Sequence, residues 1–576
     1  MDNQHVARVL ADIASLLEIK GENAFKVRAY RSASDTLMQW PDPVALRSEA
    51  QLRELPGIGR DLAARIVELV TTGGCQVYRD LVAVYPIGLL DLLRLQGIGP
   101  KTVAMLHGRL GIATVDDLAS AARSGRLTGL KGMGARKAVQ ILLAIDERAA
   151  HADRHLLSDT TAVALDVVTH LQHAGTDAEF VPVGSLRRGA ETCGDLDILA
   201  VGAGTAVLDA VVAHPRVERV LGHGDTKVSV RLHGGYQVDV RLVAPASRGA
   251  ALQYFTGSKA HNIALRDRAL TRGLRLNEYG LVHLETGAVV AGAREEDIYA
   301  ALGLDWVPPE LREHLGEIEA AEARCLPALL TRHEVRGDLH MHTTATDGLD
   351  TLEAMAEAAH RLGYEYIAIT DHSQALAMAN GLDEARALAH ARAVRALNGR
   401  YEGLTLLAGI ECDILADGRL DLAGDCLAEL DVVVASVHSH FQQGEAEMTD
   451  RVLRTLECPW VDILGHPTGR KLLKRPPTSL DVARVAEVAA RLGVALEINA
   501  QASRLDLSDA HARMALGRGA RLVVSSDAHS ASGLHNLRWG IQVARRAWAT
   551  AGDVLNTLPI DAMRAGLRRA GGAARH

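Results

Sequence analysis

The spacing of apolar residues along the chain changes from a helical period to short strand-like runs. Between Val6 and about Trp40, apolar side chains recur every three or four positions, which predicts amphipathic helix interrupted at Gly21. The apolar face of the first part consists of Val6, Val9, Leu10, Ile13, Leu16 and Leu17.

The C-terminal region instead alternates short apolar runs with helical segments. The runs are Tyr366–Thr370, Leu404–Ile410, Val432–Val437, Val461–Gly465 and Leu522–Ser526, and the helical segments include Leu352–Leu362, Glu384–Leu397 and Val482–Leu492. Alternating strands and helices predict a parallel sheet, which closed on itself is a β/α barrel.

The middle of the chain predicts strand, turn and strand. Phe180–Val183 and Gly194–Leu199 flank a glycine- and arginine-rich turn, and Tyr236–Leu242 forms a further apolar strand. We expect a mixed α+β domain there.

Three copies of an L-x-G-apolar-G turn lie in the N-terminal third, each before an amphipathic segment. They are Leu55–Gly59, Leu95–Gly99 and Leu130–Gly134, with glycines Gly57, Gly59, Gly97, Gly99, Gly132 and Gly134. Such turns point backbone N–H groups outward at a helix start, and Lys101, Arg136 and Lys137 follow two of them. The pattern resembles the helix-hairpin-helix motif, which implies sequence-independent binding of the DNA backbone; a plain glycine-mediated helix connection is the alternative.

Three aspartates lie on the predicted strands of the middle region. Asp195 and Asp197 point to the same face of one strand, and Asp239 lies in another. Like charges this close are costly unless a cation lies between them, and oxygen ligands suit Mg²⁺. The pattern favours two-metal phosphoryl transfer over a solvated edge strand.

The sequence Gly184-Ser185-Leu186-Arg187-Arg188-Gly189, followed by Gly194-Asp195-Leu196-Asp197, resembles the nucleotidyltransferase palm of family X DNA polymerases. The resemblance implies Mg²⁺ or Mn²⁺ held by Asp195, Asp197 and Asp239. It also implies contacts to a deoxynucleoside triphosphate and the nascent base pair. The residues expected to make them are Ser185, Arg188, Tyr254, Phe255, Gly257, Asn262 and Arg266.

One position departs from that family. Where beta-type polymerases carry a lysine that forms a Schiff base with an abasic sugar, this chain has Arg65. Arginine stays protonated, so we expect no lyase reaction by that mechanism.

Histidine and carboxylate side chains follow the apolar runs of the C-terminal region. They are His340, His342, Asp347, His372, Glu411, His438, His466, Asp527 and His529. In a β/α barrel the strand ends converge on one mouth, so we expect a shared metal centre. The constellation resembles the PHP (polymerase and histidinol phosphatase) family, which implies up to three divalent ions, Mn²⁺, Zn²⁺ or Fe²⁺.

Composition and charge limit how the protein can bind DNA and in which compartment it works. A net charge of −8 means that DNA binding must rest on local basic groups and backbone amides. The six cysteines form no C-x-x-C pair, which fits a reducing compartment, and no signal peptide or long apolar run is evident. We expect a cytoplasmic, non-membrane protein that is a monomer.

The order of motifs resembles bacterial family X DNA polymerases with a C-terminal PHP domain. We expect all-α helix-hairpin-helix regions (1–85 and 86–150), an α+β palm (151–250) and thumb (251–315), a linker (316–334), and a distorted β/α barrel (335–576). The implied function is gap-filling, template-directed synthesis on nicked, gapped or primer–template DNA during repair, with a metal-dependent 3′–5′ exonuclease or 3′-end phosphoesterase. The alternatives are a PHP domain acting as an AP endonuclease or small-molecule phosphatase, or a DNA-binding scaffold with a structural metal cluster.

Overall fold

The structure is a computed structural model that describes residues 3–39, 44, 47–55, 57–93, 95, 98–130, 133–134, 137–142, 145, 154–173 and 178–568. The chain forms two compact units, residues 1–152 and 153–576. Among the described residues, no helix combines the length and apolar character needed to cross a membrane.

The first unit is helical. Its helices are Asn3–Lys20, Ala24–Gln39, Glu49–Leu52, Arg60–Thr72, Gln76–Val84, Gly88–Leu93, Pro100–Leu110 and Val115–Arg123. Gly21, at a φ of 78°, separates the first two as its position in the sequence predicts. The apolar face of the first helix, including Leu10, Ile13 and Leu16, is fully buried in the core of this unit.

The three glycine turns share the same local hydrogen bonds. The amide of the central apolar residue donates to the carbonyl of the preceding leucine in all three, from Ile58 to Leu55 (3.2 Å), Ile98 to Leu95 (3.2 Å) and Met133 to Leu130 (3.0 Å). Each central side chain is buried and the glycine after it is exposed. The repeated sequence therefore folds into one repeated turn whose apolar residue anchors it and whose last glycine faces solvent.

The second unit begins with the mixed α/β region. Its strands are β1 His155–Leu156, β2 Glu179–Pro182, β3 Thr192–Cys193, β4 Asp195–Val201, β5 Val217–His223, β6 Lys227–Leu232 and β7 Gln237–Val243. The main sheet has the order β2-β4-β7-β6-β5, and within it only β4 and β7 pair in parallel. A small antiparallel sheet follows, made of β8 Leu274–Asn277, β9 Gly280–His283 and β10 Val289–Ala291.

The C-terminal region is a nearly closed parallel barrel, which confirms the predicted fold class. Its strands are β11 Gly337–Asp338, β12 Tyr366–Ile369, β13 Thr405–Asp413, β14 Val432–Ser436, β15 Ile463–Leu464, β16 Ala495–Asn499 and β17 Leu522–Ser525. They pair in sequence order, and a parallel bridge between Met341 and Ala528 joins the first strand's end to the last. β13 runs three residues past the predicted Ile410, so Glu411 lies within the strand.

Helices cover these sheets. In the second unit they are Leu157–His173, Gly184–Arg187, Ala206–Val212, Arg248–Thr256, Lys259–Thr271, Glu295–Ala301, Glu317–Glu322, Leu352–Arg361, Glu384–Ala396, Gly424–Ala428, Glu445–Glu457, Val482–Leu492, Asp509–Gly517, Leu537–Arg546 and Ile560–Gly566. The three helical segments predicted around the barrel match to within one residue at each end.

A buried ion network connects the turn after β2 to the region predicted to be the thumb. Glu295 accepts hydrogen bonds from Arg312 (2.7 Å) and from both terminal nitrogens of Arg187 (3.0 and 2.7 Å). Arg312 is fully buried. Burial alone raises the pKa of Glu295, but the two guanidinium groups outweigh it and lower this pKa to about 2.

Replacing Glu295 by alanine is therefore expected to destabilise the second unit by about 3–5 kcal/mol, because the Arg312 charge is left buried without its partner. Urea unfolding followed by circular dichroism measures the change. Glu296→Ala is the control, since this neighbour's side chain is 53% exposed and pairs loosely with Arg294. Equal unfolding midpoints for the two variants would contradict the prediction.

Candidate functional site

The three predicted carboxylates of the middle region lie together on the parallel pair of strands. The register of β4 and β7 places Asp197 directly opposite Asp239, with Asp195 two residues earlier on the same face. Asp195 is exposed, Asp197 is partly exposed and Asp239 is buried. The arrangement gives a row of oxygen ligands on two inner strands of the sheet, open to solvent at Asp195.

Burial and charge repulsion both disfavour the ionised carboxylates of this row. Burial, followed by the charges of Asp195 and Asp239, raises the pKa of Asp197 to about 6. Lys227 on β6 compensates part of the charge, because its Nζ lies 2.5 Å from the Asp239 Oδ2. A site with three carboxylates and one amine still has an excess of negative charge, which suits divalent cations.

The glycine-rich turn after β2 lies against these carboxylates. Gly184 has a φ of 67°, and a Cβ there would lie 3.2 Å from the Asp197 Oδ2, so glycine permits the close approach. The amide of Val183 donates to the Asp197 carbonyl at 2.9 Å, which fixes the start of the turn. Ser185, one residue on, is partly exposed.

Arg188 connects this turn to the region predicted to be the thumb. Its Nε donates to the Glu313 Oε1 (2.9 Å) and its Nη1 to the carbonyl of Thr256 (2.5 Å). Gly257 lies beside the same guanidinium, since a Cβ there would be 3.2 Å from Nη1. The structure thus brings Arg188 and Gly257 together, as a shared nucleotide site requires.

The remaining predicted nucleotide contacts lie on two consecutive helices. The rings of Tyr254 and Phe255 meet edge to face with centroids 5.0 Å apart. Asn262 donates to the Tyr254 carbonyl (2.7 Å), and the exposed Arg266 donates to the Asn262 carbonyl (3.3 Å). Phe255 also lines a cleft of about 490 Å³ beside Arg241 and Tyr279.

The barrel mouth gathers the nine predicted histidine and carboxylate side chains, with Glu411 at the centre. Its two carboxylate oxygens lie 2.8 Å from His372, 2.9 Å from His466, and 3.4 Å from both His340 and His438. Asp527 lies 3.1 Å from His342, and Asp347 lies 3.5 Å from both His372 and His529.

These side chains form three overlapping groups whose ligand atoms are close enough to hold an ion. The groups are His342 with Asp347, His372 and His529; His340 with His342 and Asp527; and His372 with Glu411 and His438. Buried nitrogens of His340, His342 and His466 have no hydrogen-bond partner among the residues that the structure describes. Buried polar atoms rarely lack a partner, so the cluster fits a set of divalent cations.

The electrostatics of the cluster also favour cations. Burial, and the neighbouring His372 and His529, lower the pKa of His342 to about 4, so its imidazole is neutral and able to bind a metal. Burial opposes charge on His372 as well, but Glu411 and Asp347 raise its pKa to about 10. The carboxylates of Glu411 and Asp347 therefore stabilise positive charge on His372.

Sequence reasoning missed two carboxylates that orient the histidines. Glu497 on β16 lies 2.7 Å from the Nδ1 of His340, and Asp413 on β13 accepts a hydrogen bond from the Nδ1 of His438. Holding Nδ1 turns each Nε2 toward Glu411. The signal was available, because Asp413 follows Glu411, and Glu497 precedes Asn499, by two residues, which is the same face of a strand.

The mouth opens into a cleft of about 430 Å³. Besides metal-binding residues, Lys471, Arg475 and Arg504 line it. Burial, followed by the charges of Arg504 and Arg475, lowers the pKa of Lys471. Such a cluster of positive charge suits a polyanion with phosphates next to the metal centre.

The predicted DNA-binding turns lie in the first unit. Gly59 and Gly99 immediately precede the helices Arg60–Thr72 and Pro100–Leu110, with no side chain capping either helix start. Gly134 and Lys101 are exposed, and Gly57 has a φ of 74°, in the left-handed region. Gly97 and Gly132 lie outside the described residues. Arg65, predicted to prevent lyase chemistry, donates to Glu68 at 3.0 Å.

Family models match most of these regions. A helix-hairpin-helix domain matches residues 1–75 and a SAM-like helix-hairpin-helix tandem matches residues 89–147. The DNA polymerase beta thumb matches residues 251–313 and the PHP domain matches residues 338–501. These matches imply DNA binding and a dependence on metal ions.

Three relatives span different parts of the chain. A "DNA polymerase/3'-5' exonuclease PolX" from Bacillus subtilis (strain 168) is 38% identical over 99% of this chain and 100% of its own length. DNA polymerase lambda from Rattus norvegicus is 26% identical over 54% of this chain and 56% of its own. A probable phosphatase from Shewanella sp. (strain MR-4) is 30% identical over 39% of this chain and 88% of its own. Similarity along the whole length to the first of these shows that the chain belongs to the family X DNA polymerases that carry a C-terminal PHP domain.

Proposed function

We propose that this protein is a template-directed DNA polymerase that fills short gaps during repair and carries a metal-dependent 3′–5′ exonuclease in its barrel. The observation that carries the proposal is the parallel register of Asp197 and Asp239 beside the Gly184–Arg188 turn, in a chain that also holds the complete barrel cluster. The full-length similarity to a polymerase and exonuclease supports it.

In the palm, each side chain has a distinct task. Asp195 and Asp197 hold Mg²⁺ or Mn²⁺, and Asp239 is the base placed to accept the proton of the primer 3′-hydroxyl. The ions supply neutralising charge for the triphosphate and the leaving pyrophosphate. Ser185 and Arg188 hold the triphosphate, while Tyr254, Phe255 and Gly257 form the wall for its sugar. Asn262 and Arg266 face the nascent base pair and the template.

In the barrel, the nine ligand residues hold up to three ions of Mn²⁺, Zn²⁺ or Fe²⁺. Bound there, such ions would supply an activated water and positive charge beside the scissile phosphodiester. Glu497 and Asp413 keep the imidazoles of His340 and His438 turned inward. Lys471, Arg475 and Arg504 bind the phosphates of the strand that leads to the 3′ end.

The exposed turns at Gly59, Gly99 and Gly134 grip the DNA backbone through their amides, aided by Lys101. Because such contacts do not depend on base sequence, these turns can bind nicked, gapped and primer–template DNA alike. We further propose a cytoplasmic monomer, since one chain contains both sites and its DNA substrate lies in that compartment.

Asp197→Ala is expected to lower nucleotide addition at least about 1,000-fold, because it removes a metal ligand worth several kcal/mol. Primer extension and primer degradation are measured in parallel with Mg²⁺ and Mn²⁺. We expect primer degradation by Asp197→Ala to stay within twofold of the unmodified protein. Asp209→Ala is the control, because the Asp209 side chain is 81% exposed. Both of its activities are expected to stay within twofold. Primer extension that survives in Asp197→Ala would show that these aspartates are not the polymerase site.

His342→Ala is expected to lower 3′-end degradation at least about 100-fold while extension stays within twofold, since His342 contributes to two of the three metal groups. Metal content by mass spectrometry reports the lost ligand independently. His360→Ala, on the exposed side of a helix, serves as the control. Full degradation by a metal-replete His342→Ala would exclude the barrel centre as the nuclease.

Asp197→Asn is expected to stabilise the metal-free protein by about 1–3 kcal/mol. Burial and the neighbouring carboxylates raise the pKa of Asp197 to about 6, so ionising it costs stability; the cost grows from about pH 4 and is complete above about pH 6, and the amide removes it. Urea unfolding at pH 7.5 in EDTA measures the difference, which shrinks as the pH falls through 6. If Asp197→Asn is no more stable than the unmodified protein, the ionised Asp197 does not destabilise the fold, and the prediction is wrong.

A second candidate for the barrel is a small-molecule phosphatase, which the similarity to probable phosphatases favours. The two functions differ in substrate size, because a DNA strand is long enough to contact the metal-binding residues and several cations of the cleft at once. Turnover of p-nitrophenyl phosphate is compared with removal of a primer's 3′ nucleotide. A phosphatase rate that exceeds the DNA rate would favour the second candidate, and cleavage at internal abasic sites would favour an AP endonuclease.

A further inference from the structure

The glycine-rich turn of the palm has two faces. Gly184 approaches the carboxylates on one face, as described above. On the other face, Leu186 and Cys193 pack into the hydrophobic core of the barrel, alongside residues such as Met341 and Leu534. The barrel therefore covers the back of the turn that holds Ser185 and Arg188.

Arg546 is a barrel side chain that contacts this turn directly. It ends the helix Leu537–Arg546, and only 11% of the side chain is exposed. Its Nη1 donates to the backbone carbonyl of Arg188 (2.9 Å) and to the Glu313 Oε1 (3.0 Å). Its Nε donates to Asp509 at 2.7 Å, which anchors the guanidinium to the barrel.

Glu313 links the two arginines. The oxygen that accepts from Arg546 also accepts from the Nε of Arg188 at 2.9 Å. Arg188 is thereby held at its backbone by Arg546 and at its side chain by a carboxylate that Arg546 holds in turn. The Nη1 of Arg188 donates to the carbonyl of Thr256, whereas its Nη2 takes part in none of these contacts.

Two neighbouring contacts hold the rest of the turn. Gly189, at a φ of 64°, lies so close to Gln542 that a Cβ would be 2.1 Å from the amide nitrogen of that side chain. Arg470 donates to Glu191 at 2.6 Å. Each contact joins the turn to the barrel, and neither involves a barrel metal ligand.

We propose that Arg546 is a positioning residue for nucleotide binding in the palm: the nuclease domain holds Arg188 ready for the triphosphate of an incoming deoxynucleotide. An arginine side chain has several rotatable bonds, so holding it in place before binding lowers the entropy lost when the triphosphate arrives. This inference rests on the proposed function, because it takes Arg188 as a triphosphate contact.

Arg546→Ala is expected to raise the KM for deoxynucleotide about 5- to 20-fold, because hydrogen bonds to a charged group and a carbonyl are lost. The kcat changes less than threefold and 3′-end degradation less than twofold, since the catalytic carboxylates and the barrel metal ligands are untouched. Steady-state single-nucleotide insertion on a gapped duplex gives both constants. Arg546→Lys, with one ammonium for three acceptors, restores part of the affinity.

Arg538→Ala is the matched control, because Arg538 is an exposed arginine of the same helix that stacks on Trp539. Its KM stays within twofold of the unmodified protein. If Arg546→Ala does not fold, Glu313→Gln removes the shared charge instead and is expected to raise the KM in the same way.

Arg188→Ala and the double variant Arg188→Ala/Arg546→Ala separate this inference from the function it rests on. If Arg546 acts through Arg188, the double variant has the KM of Arg188→Ala within about twofold, rather than the product of both effects. A raised KM for Arg188→Ala with an unchanged KM for Arg546→Ala overturns the inference and leaves the proposed polymerase intact.

An unchanged KM for Arg188→Ala overturns the triphosphate contact itself, and the inference with it. An equal fall of polymerisation and degradation in Arg546→Ala, with KM unchanged, shows that Arg546 only holds the fold together, which also overturns the inference.

Discussion

Buried carboxylates that lie next to one another are the constraint on which both candidate sites depend. In the palm, the parallel register of β4 and β7 brings Asp197 opposite Asp239, and the cost appears as a pKa near 6 for Asp197. In the barrel, Glu411 lies among five histidines and shares its surroundings with Asp527. Proteins accept such arrangements where cations neutralise them, so the same electrostatic cost favours cations at both candidate sites.

The two sites differ in how their ligands are held. The palm ligands stand on a short stretch of paired strand, with Lys227 as the nearby cation. The barrel ligands lie within or after six of the seven strands, and carboxylates on β13 and β16 hold the rings of two histidines. A cluster built from six strands has its geometry set by the whole barrel, whereas the geometry of the palm row is set by the pairing of β4 with β7.

The turn after β2 is the place where the domains of the second unit meet. Arg187 reaches the buried Glu295 and Arg312, Arg188 reaches Glu313, and the barrel contributes Arg546. The turn proposed to bind the nucleotide is therefore in direct contact with the barrel proposed to be the nuclease. The probable phosphatase from Shewanella sp. (strain MR-4) matches 39% of this chain, whereas the polymerase and exonuclease from Bacillus subtilis matches 99% of it.

The sequence alone determined the features whose signal is local. The glycine turns repeat within five residues, the Asp-x-Asp pair follows from the period of a strand, and the barrel ligands follow their own apolar runs. The similarity along the whole chain confirms the family that these motifs indicated. Only the tertiary structure decided that Glu411 is the centre of its cluster, that Glu497 orients His340, and that Arg546 supports Arg188 across 358 positions of sequence. Such pairs are created by packing between distant segments, and no spacing along the chain encodes them.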